Sequence, residues 1–84
     1  RFVSAHGQSV AIGYIEDSLS DEELAAYKRG RNTKSYTVPK NADVGEYRRA
    51  TGFEALLGWL YVGGRTERMN SIMEMSYNAV KAAE

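Results

Sequence analysis

One acid, Glu54, stands inside the most apolar stretch of the chain, the run from Arg48 to Tyr61. At about 100° per residue, Phe53, Leu56, Leu57 and Leu60 share a helix face and Glu54 lies at its edge. Its helical neighbours are Ala50, Thr51, Leu57 and Gly58; three of these are small, so another element can come close. Magnesium takes oxygen ligands in near-octahedral geometry, often one or two carboxylates with waters and substrate phosphate. Such an ion activates water and stabilises the leaving oxygen of a phosphodiester. A carboxylate in this setting can supply one ligand. The ordinary alternative is an exposed glutamate, salt-bridged to Arg1 or Arg65. On pattern alone that alternative is the better supported, because acids at face boundaries are common.

The second group that could do chemistry is basic. The net charge of the 84 residues is zero, yet seven of the eleven basic residues, Lys28, Arg29, Arg31, Lys34, Lys40, Arg48 and Arg49, fall between positions 28 and 49. Only Asp43 and Glu46 oppose them there, and an acidic cluster, Glu16, Asp17, Asp21, Glu22 and Glu23, precedes them. Lysine and arginine neutralise phosphates, the dominant and salt-dependent part of nucleic-acid affinity. A solvated loop that balances the acidic helix before it accounts for the composition equally well. Tyr36, Tyr47 and Tyr61 offer rings for stacking, but Tyr47 and Tyr61 are expected near the core with their hydroxyls satisfied. His6 has no partner motif, and the methionines near the end read as core filler.

Four helices must position these groups. The first runs from Arg1 to about Glu16, with Val3, Val10 and Tyr14 on its buried face and Ala11 and Ile15 alongside; Gly7 and Gly13 weaken it. Ser20 and Glu23 form a capping box that starts the second helix. That helix is expected to reach Arg29, with Gly30 as its stop. Residues 31–41 lack helical periodicity, and Ser35, Thr37, Pro39 and Asn41 mark a loop. Asn41 or Asp43 caps the third helix, from about Val44 to Val62, which Gly63-Gly64 ends. Arg48 and Trp59 point roughly away from its core face. A fourth helix begins near Thr66 with Met69, Ile72, Met73, Ser76 and Val80 on one face, and Lys81 to Glu84 is expected to fray. The pattern is all-α.

The length allows one small domain. Without cysteine there is neither a disulfide framework nor a thiolate metal site. No apolar run approaches the roughly 20 residues that span a bilayer. No Ser-His-Asp arrangement or phosphate-binding glycine loop is present.

Four stretches in order resemble one family. Arg1-Phe2-Val3-Ser4-Ala5 with Gln8 is similar to R-x-V-S-A-x-x-Q. Arg29-Gly30-Arg31-Asn32 with Lys34-Ser35 resembles R-G-R-N-x-K-S. Pro39-Lys40-Asn41-Ala42-Asp43-Val44 with Tyr47-Arg48 is similar to P-K-N-x-D-V-x-x-Y-R. Thr51-Gly52-Phe53-Glu54-Ala55-Leu56-Leu57-Gly58 resembles T-x-F-E-A-L-[IL]-G. These are signatures of Mini-ribonuclease III, the short bacterial and plastid relative of ribonuclease III. Ribonuclease III proper has an Asp three positions before the matching Glu; Thr51 stands there, as in the Mini type.

The resemblance implies a ribonuclease III-like helical bundle, of which residues 1–84 are the C-terminal part. The RNA-contacting loop would lie at about 30–41 and the catalytic helix at about 44–62. It implies a homodimer cleaving double-stranded RNA with Mg2+, or Mn2+ in its place, and trimming the 23S large-subunit ribosomal RNA precursor. The setting would be the bacterial cytoplasm or a plastid stroma, with no membrane partner. Carried over by position, Glu54 is the catalytic and metal-binding residue, and Arg29, Arg31, Asn32, Lys34, Lys40 and Arg48 contact RNA. The family's first acidic motif, G-D-A, would precede Arg1, so the 84 residues by themselves are expected not to cleave. The alternative is a degenerate domain that holds RNA or a protein partner without cutting.

Overall fold

The computed structural model of the protein describes residues 5–33 and 43–83. They form α1 (Ala5–Ile15), a 3-10 turn (Glu16–Ser18), α2 (Asp21–Arg31), α3 (Val44–Val62) and α4 (Thr66–Ala83), with no strand among the described residues. The all-α expectation holds. α3 is the central element: α2 and α1 pack on it most extensively, and α4 packs mainly on α1. Ile12, Ile15, Ala26, Tyr27, Phe53, Leu56, Leu60 and Ile72, drawn from all four helices, make one buried cluster. Each of the larger ones contributes about 1.5–3 kcal/mol through removal from water.

Local chemistry sets the helix ends. Ser20 Oγ accepts from the Glu23 N–H at 3.2 Å, and Glu23 Oε1 accepts from the Ser20 N–H at 2.9 Å, completing the expected capping box. Of the two candidate caps for α3, Asp43 is the one used: its Oδ1 accepts from the Glu46 N–H at 3.0 Å. α3 closes in a Schellman motif. Gly64 adopts φ +76°, the Arg65 N–H donates to the Leu60 carbonyl at 2.8 Å, and the Gly64 N–H to the Tyr61 carbonyl at 3.1 Å.

Several expectations are corrected. α2 runs past Gly30 to Arg31, and Gly30 is a buried crossing point, not a stop. A methyl group there would collide with Ala55 Cβ and sit 3.1 Å from Gly52 Cα. Gly52 is equally tight, since an added Cβ would lie 2.7 Å from the Tyr27 carbonyl oxygen. In α1, Tyr14 is 63% exposed while Ile12 is fully buried. Tyr14 lies about 160° round the helix from Ile12, so the two cannot share a face. The buried stripe runs through Ala11, Ile12 and Ile15; Val10 is only half-buried, and Arg1 to Ser4 lie outside the described residues. Tyr61 is 67% exposed, because the core side of α3 is filled by Phe53, Leu56 and Leu60. Met73 is exposed on α4, whereas Ile72, Ser76 and Val80 face inward and Met69 and Met75 pack against the cluster.

One feature had no sequence signal beyond its capping role. Arg68 on α4 donates from Nε to Glu23 Oε2 at 2.8 Å, and from Nη2 to Glu23 Oε1 at 2.9 Å and the Ser18 carbonyl at 2.8 Å. Glu23 is 4% exposed. The Arg68 hydrogen bonds hold its carboxyl below the usual carboxylate range, against the opposing effect of burial and with help from the Ser20 N–H.

Candidate nucleic-acid and metal site

Glu54 projects from the middle of α3 and is exposed. Gln8, reaching over from α1, donates from Nε2 to Glu54 Oε2 at 3.2 Å. Arg65, one of the two cations that could have tied the acid down, is engaged elsewhere. Its Nη1 lies 3.4 Å from Glu22 Oε1 and its guanidinium 4.9 Å from the Trp59 ring centroid. Arg1 lies outside the described residues. Among the described residues Glu54 therefore meets a neutral amide and no cation.

The glycine crossing brings the basic end of α2 to the same turn of α3. Gly30 packs against Thr51, Gly52 and Ala55, the residues that bracket Glu54, so its neighbours Arg29 and Arg31 emerge at that level. Arg29 is exposed. Its carbonyl accepts from Thr33 Oγ1 at 2.7 Å, which fastens the end of the helix. Arg31 is half-buried, its guanidinium 5.6 Å from the Tyr27 ring centroid and its Nε donating to Asn32 Oδ1 at 3.2 Å. Asn32 is the C-cap of α2. Lys34 and Lys40 lie outside the described residues, as does most of the expected loop. Arg48 is exposed but lies about 120° round α3 from Glu54 and about 9 Å along its axis, so it is not drawn into the same group.

Arg49, which drew no separate assignment from the sequence, is committed to α1: its Nε donates to Ser9 Oγ at 2.6 Å. His6 is likewise structural here, its Nδ1 hydrogen-bonded to Glu46 Oε2. Gln8 was visible only as part of a motif; it and Glu54 are 46 residues apart, so no local pattern could pair them. Along the crossing, α2 and α3 enclose an open groove of about 440 Å³, lined by Arg29 and Thr33 from the end of α2 and by Ala55, Gly58, Trp59 and Val62 of α3.

As a metal ligand set, the described residues are partial. No group of three or more His, Cys, Asp or Glu side chains that could hold an ion occurs among them. One exposed carboxylate, free of competing cations among these residues, fits a single position on magnesium, an ion that keeps several waters and needs few protein ligands. No described helix is long and apolar enough to cross a membrane.

Comparison with known proteins agrees with this architecture. The ribonuclease III domain family matches residues 1–65. Mini-ribonuclease 3 of Thermoanaerobacter sp. (strain X514) is 47% identical over 81 residues, covering 96% of this chain and 57% of that protein. Mini-ribonuclease 3 of Clostridium tetani is 47% identical over 78 residues, covering 93% of this chain and 52% of the relative. The Enterococcus faecalis protein of the same name is 51% identical over 75 residues, covering 87% and 57%. The chain spans little more than half the length of these relatives. With an all-α bundle, a family match over most of its length and relatives of the Mini type, the chain belongs to the ribonuclease III family.

Proposed function

We propose that the protein works as a metal-dependent endoribonuclease on double-stranded RNA, as a homodimer that presents one site to each strand. The observation that carries this reading is the exposed Glu54, hydrogen-bonded to an amide on the same turn of α3 that the basic end of α2 crosses. Glu54 supplies one carboxylate to Mg2+, with Mn2+ as a substitute. The bound ion would polarise the phosphodiester and activate water. Arg29, Arg31, Lys34, Lys40 and Arg48 neutralise phosphates of the duplex, and Asn32 hydrogen-bonds to its backbone. Such contacts fix its position without reading much sequence. The substrate is proposed to be the 23S ribosomal RNA precursor and the compartment the bacterial cytoplasm, with the plastid stroma as the alternative. The name Mini-ribonuclease 3, borne by the relatives, supports the nuclease class.

The test is Glu54→Gln in the full natural protein. It should abolish magnesium-dependent cleavage and leave RNA binding intact; undiminished cleavage would overturn the reading. A second reading, a module that holds RNA without cutting, draws on the lack, among the described residues, of any group of three or more His, Cys, Asp or Glu side chains that could hold an ion. Cleavage by the full natural protein excludes it. The 84 residues alone are expected not to cleave.

A further inference from the structure

The Gln8–Glu54 bond joins α1 to α3 at the acid itself. Gln8 is half-buried and Glu54 exposed, so the amide is the anchored partner and the carboxylate the held one. The helices are fastened nearby as well, by Arg49 to Ser9 and by His6 to Glu46. Gly7, Ser9 and Ala11 are small and buried, which lets α1 lie close. The backbone that carries Gln8 is therefore held against α3, within hydrogen-bond reach of Glu54. A glutamate loose on a helix surface loses rotamer freedom when an ion fixes it. A glutamate already held loses less. A neutral donor suits this task, because a Lys or Arg at the same place would offset the charge that attracts a cation.

We propose that Gln8 is a positioning residue for the metal site: it holds Glu54 Oε2 across the α1–α3 contact and so presents the carboxylate to a divalent cation already oriented. The inference rests on Glu54 being a metal ligand, and the experiment separates the two. Mn2+ binding is measured by electron paramagnetic resonance on the full natural protein and on Gln8→Met, which keeps the length and loses the donor. Gln8→Met should melt as the native protein does and bind Mn2+ about tenfold more weakly. It should need correspondingly more Mn2+ for half-maximal RNA cleavage, with little change in rate at saturating metal. Gln8→Ala should weaken binding in the same direction and serves if the first variant folds poorly. Native Mn2+ affinity in the folded Gln8 variants, with binding lost in Glu54→Gln, overturns the role of Gln8 alone. Native Mn2+ affinity in Glu54→Gln overturns the reading of Glu54, and that of Gln8 with it.

Discussion

Replacing Arg68 by Met removes three hydrogen bonds at once, two to the Glu23 carboxylate and one to the Ser18 carbonyl, all between 2.8 and 2.9 Å. Breaking a buried ion pair by removing one partner costs about 3–5 kcal/mol. Two features lower that figure here. The Arg68 side chain is 35% exposed, so water reaches the site once the guanidinium is gone, and Glu23 keeps its bond from the Ser20 N–H. The expected loss is about 2–3 kcal/mol at neutral pH, within the range for hydrogen bonds to charged groups. For a domain of this size that lowers the melting temperature on the order of 10–20 °C. The loss should also depend on pH. Glu23 has a folded pKa below its unfolded value of about 4.3, so its stabilising contribution is complete above that value and disappears as pH falls through the folded one. In Arg68→Met the largest cause of the lowering is absent, so the difference in stability between the two proteins should narrow as pH falls through the folded pKa of Glu23. Urea denaturation followed by circular dichroism, at pH 7 and again at the lowest pH at which both proteins still fold, measures both effects. A loss under about 1 kcal/mol at pH 7, or one equal at both pH values, would refute the assignment of this pair as the tie between α2 and α4.

Two further outcomes follow from the packing of α2 on α3. Gly30→Ala gains about 1 kcal/mol of helix propensity but forces the Ala55 Cβ and the Gly52 backbone apart, at about 1–3 kcal/mol. A net loss in urea denaturation is expected, relieved by adding Ala55→Gly; a stabilised single variant would show that the two helices do not meet backbone to backbone. Arg29→Ala combined with Arg31→Ala should flatten the salt dependence of duplex RNA binding, by about 0.9 in the slope of log K against log salt for each phosphate no longer neutralised. An unchanged slope would place the end of α2 off the RNA path.

Helix ends were legible in the sequence because their chemistry is local. Ser20 with Glu23, Asp43 before α3 and Gly63-Gly64 after it each act within a few residues. Gly30 misled for the same reason. Glycine next to a basic turn has the composition of a helix stop, and only the opposing Gly52 and Ala55 reveal that it is a close crossing. In α1 the isoleucines Ile12 and Ile15 face inward together with the small Gly7, Ser9 and Ala11, while Tyr14 turns outward and Val10 is only half-buried. Glu54 stands out in the sequence through its motif and its odd position. Its partner Gln8 and the Arg68–Glu23 pair span 46 and 45 residues, distances over which only the fold carries information.

The Gly30–Gly52 crossing has a mechanical consequence. Where two helices meet through side chains, a rotamer change can absorb a small slide of one past the other. Here Gly30 meets the Gly52 backbone and the short Ala55 side chain, and Tyr27 closes over Gly52, so little side-chain freedom is left to absorb a slide. A pull on the end of α2, such as the proposed grip on a phosphate would exert, should carry the Glu54 turn of α3 along with it. The distance between the end of α2 and the Glu54 turn is then set by van der Waals contact between the two helices, with little left to rotamer populations.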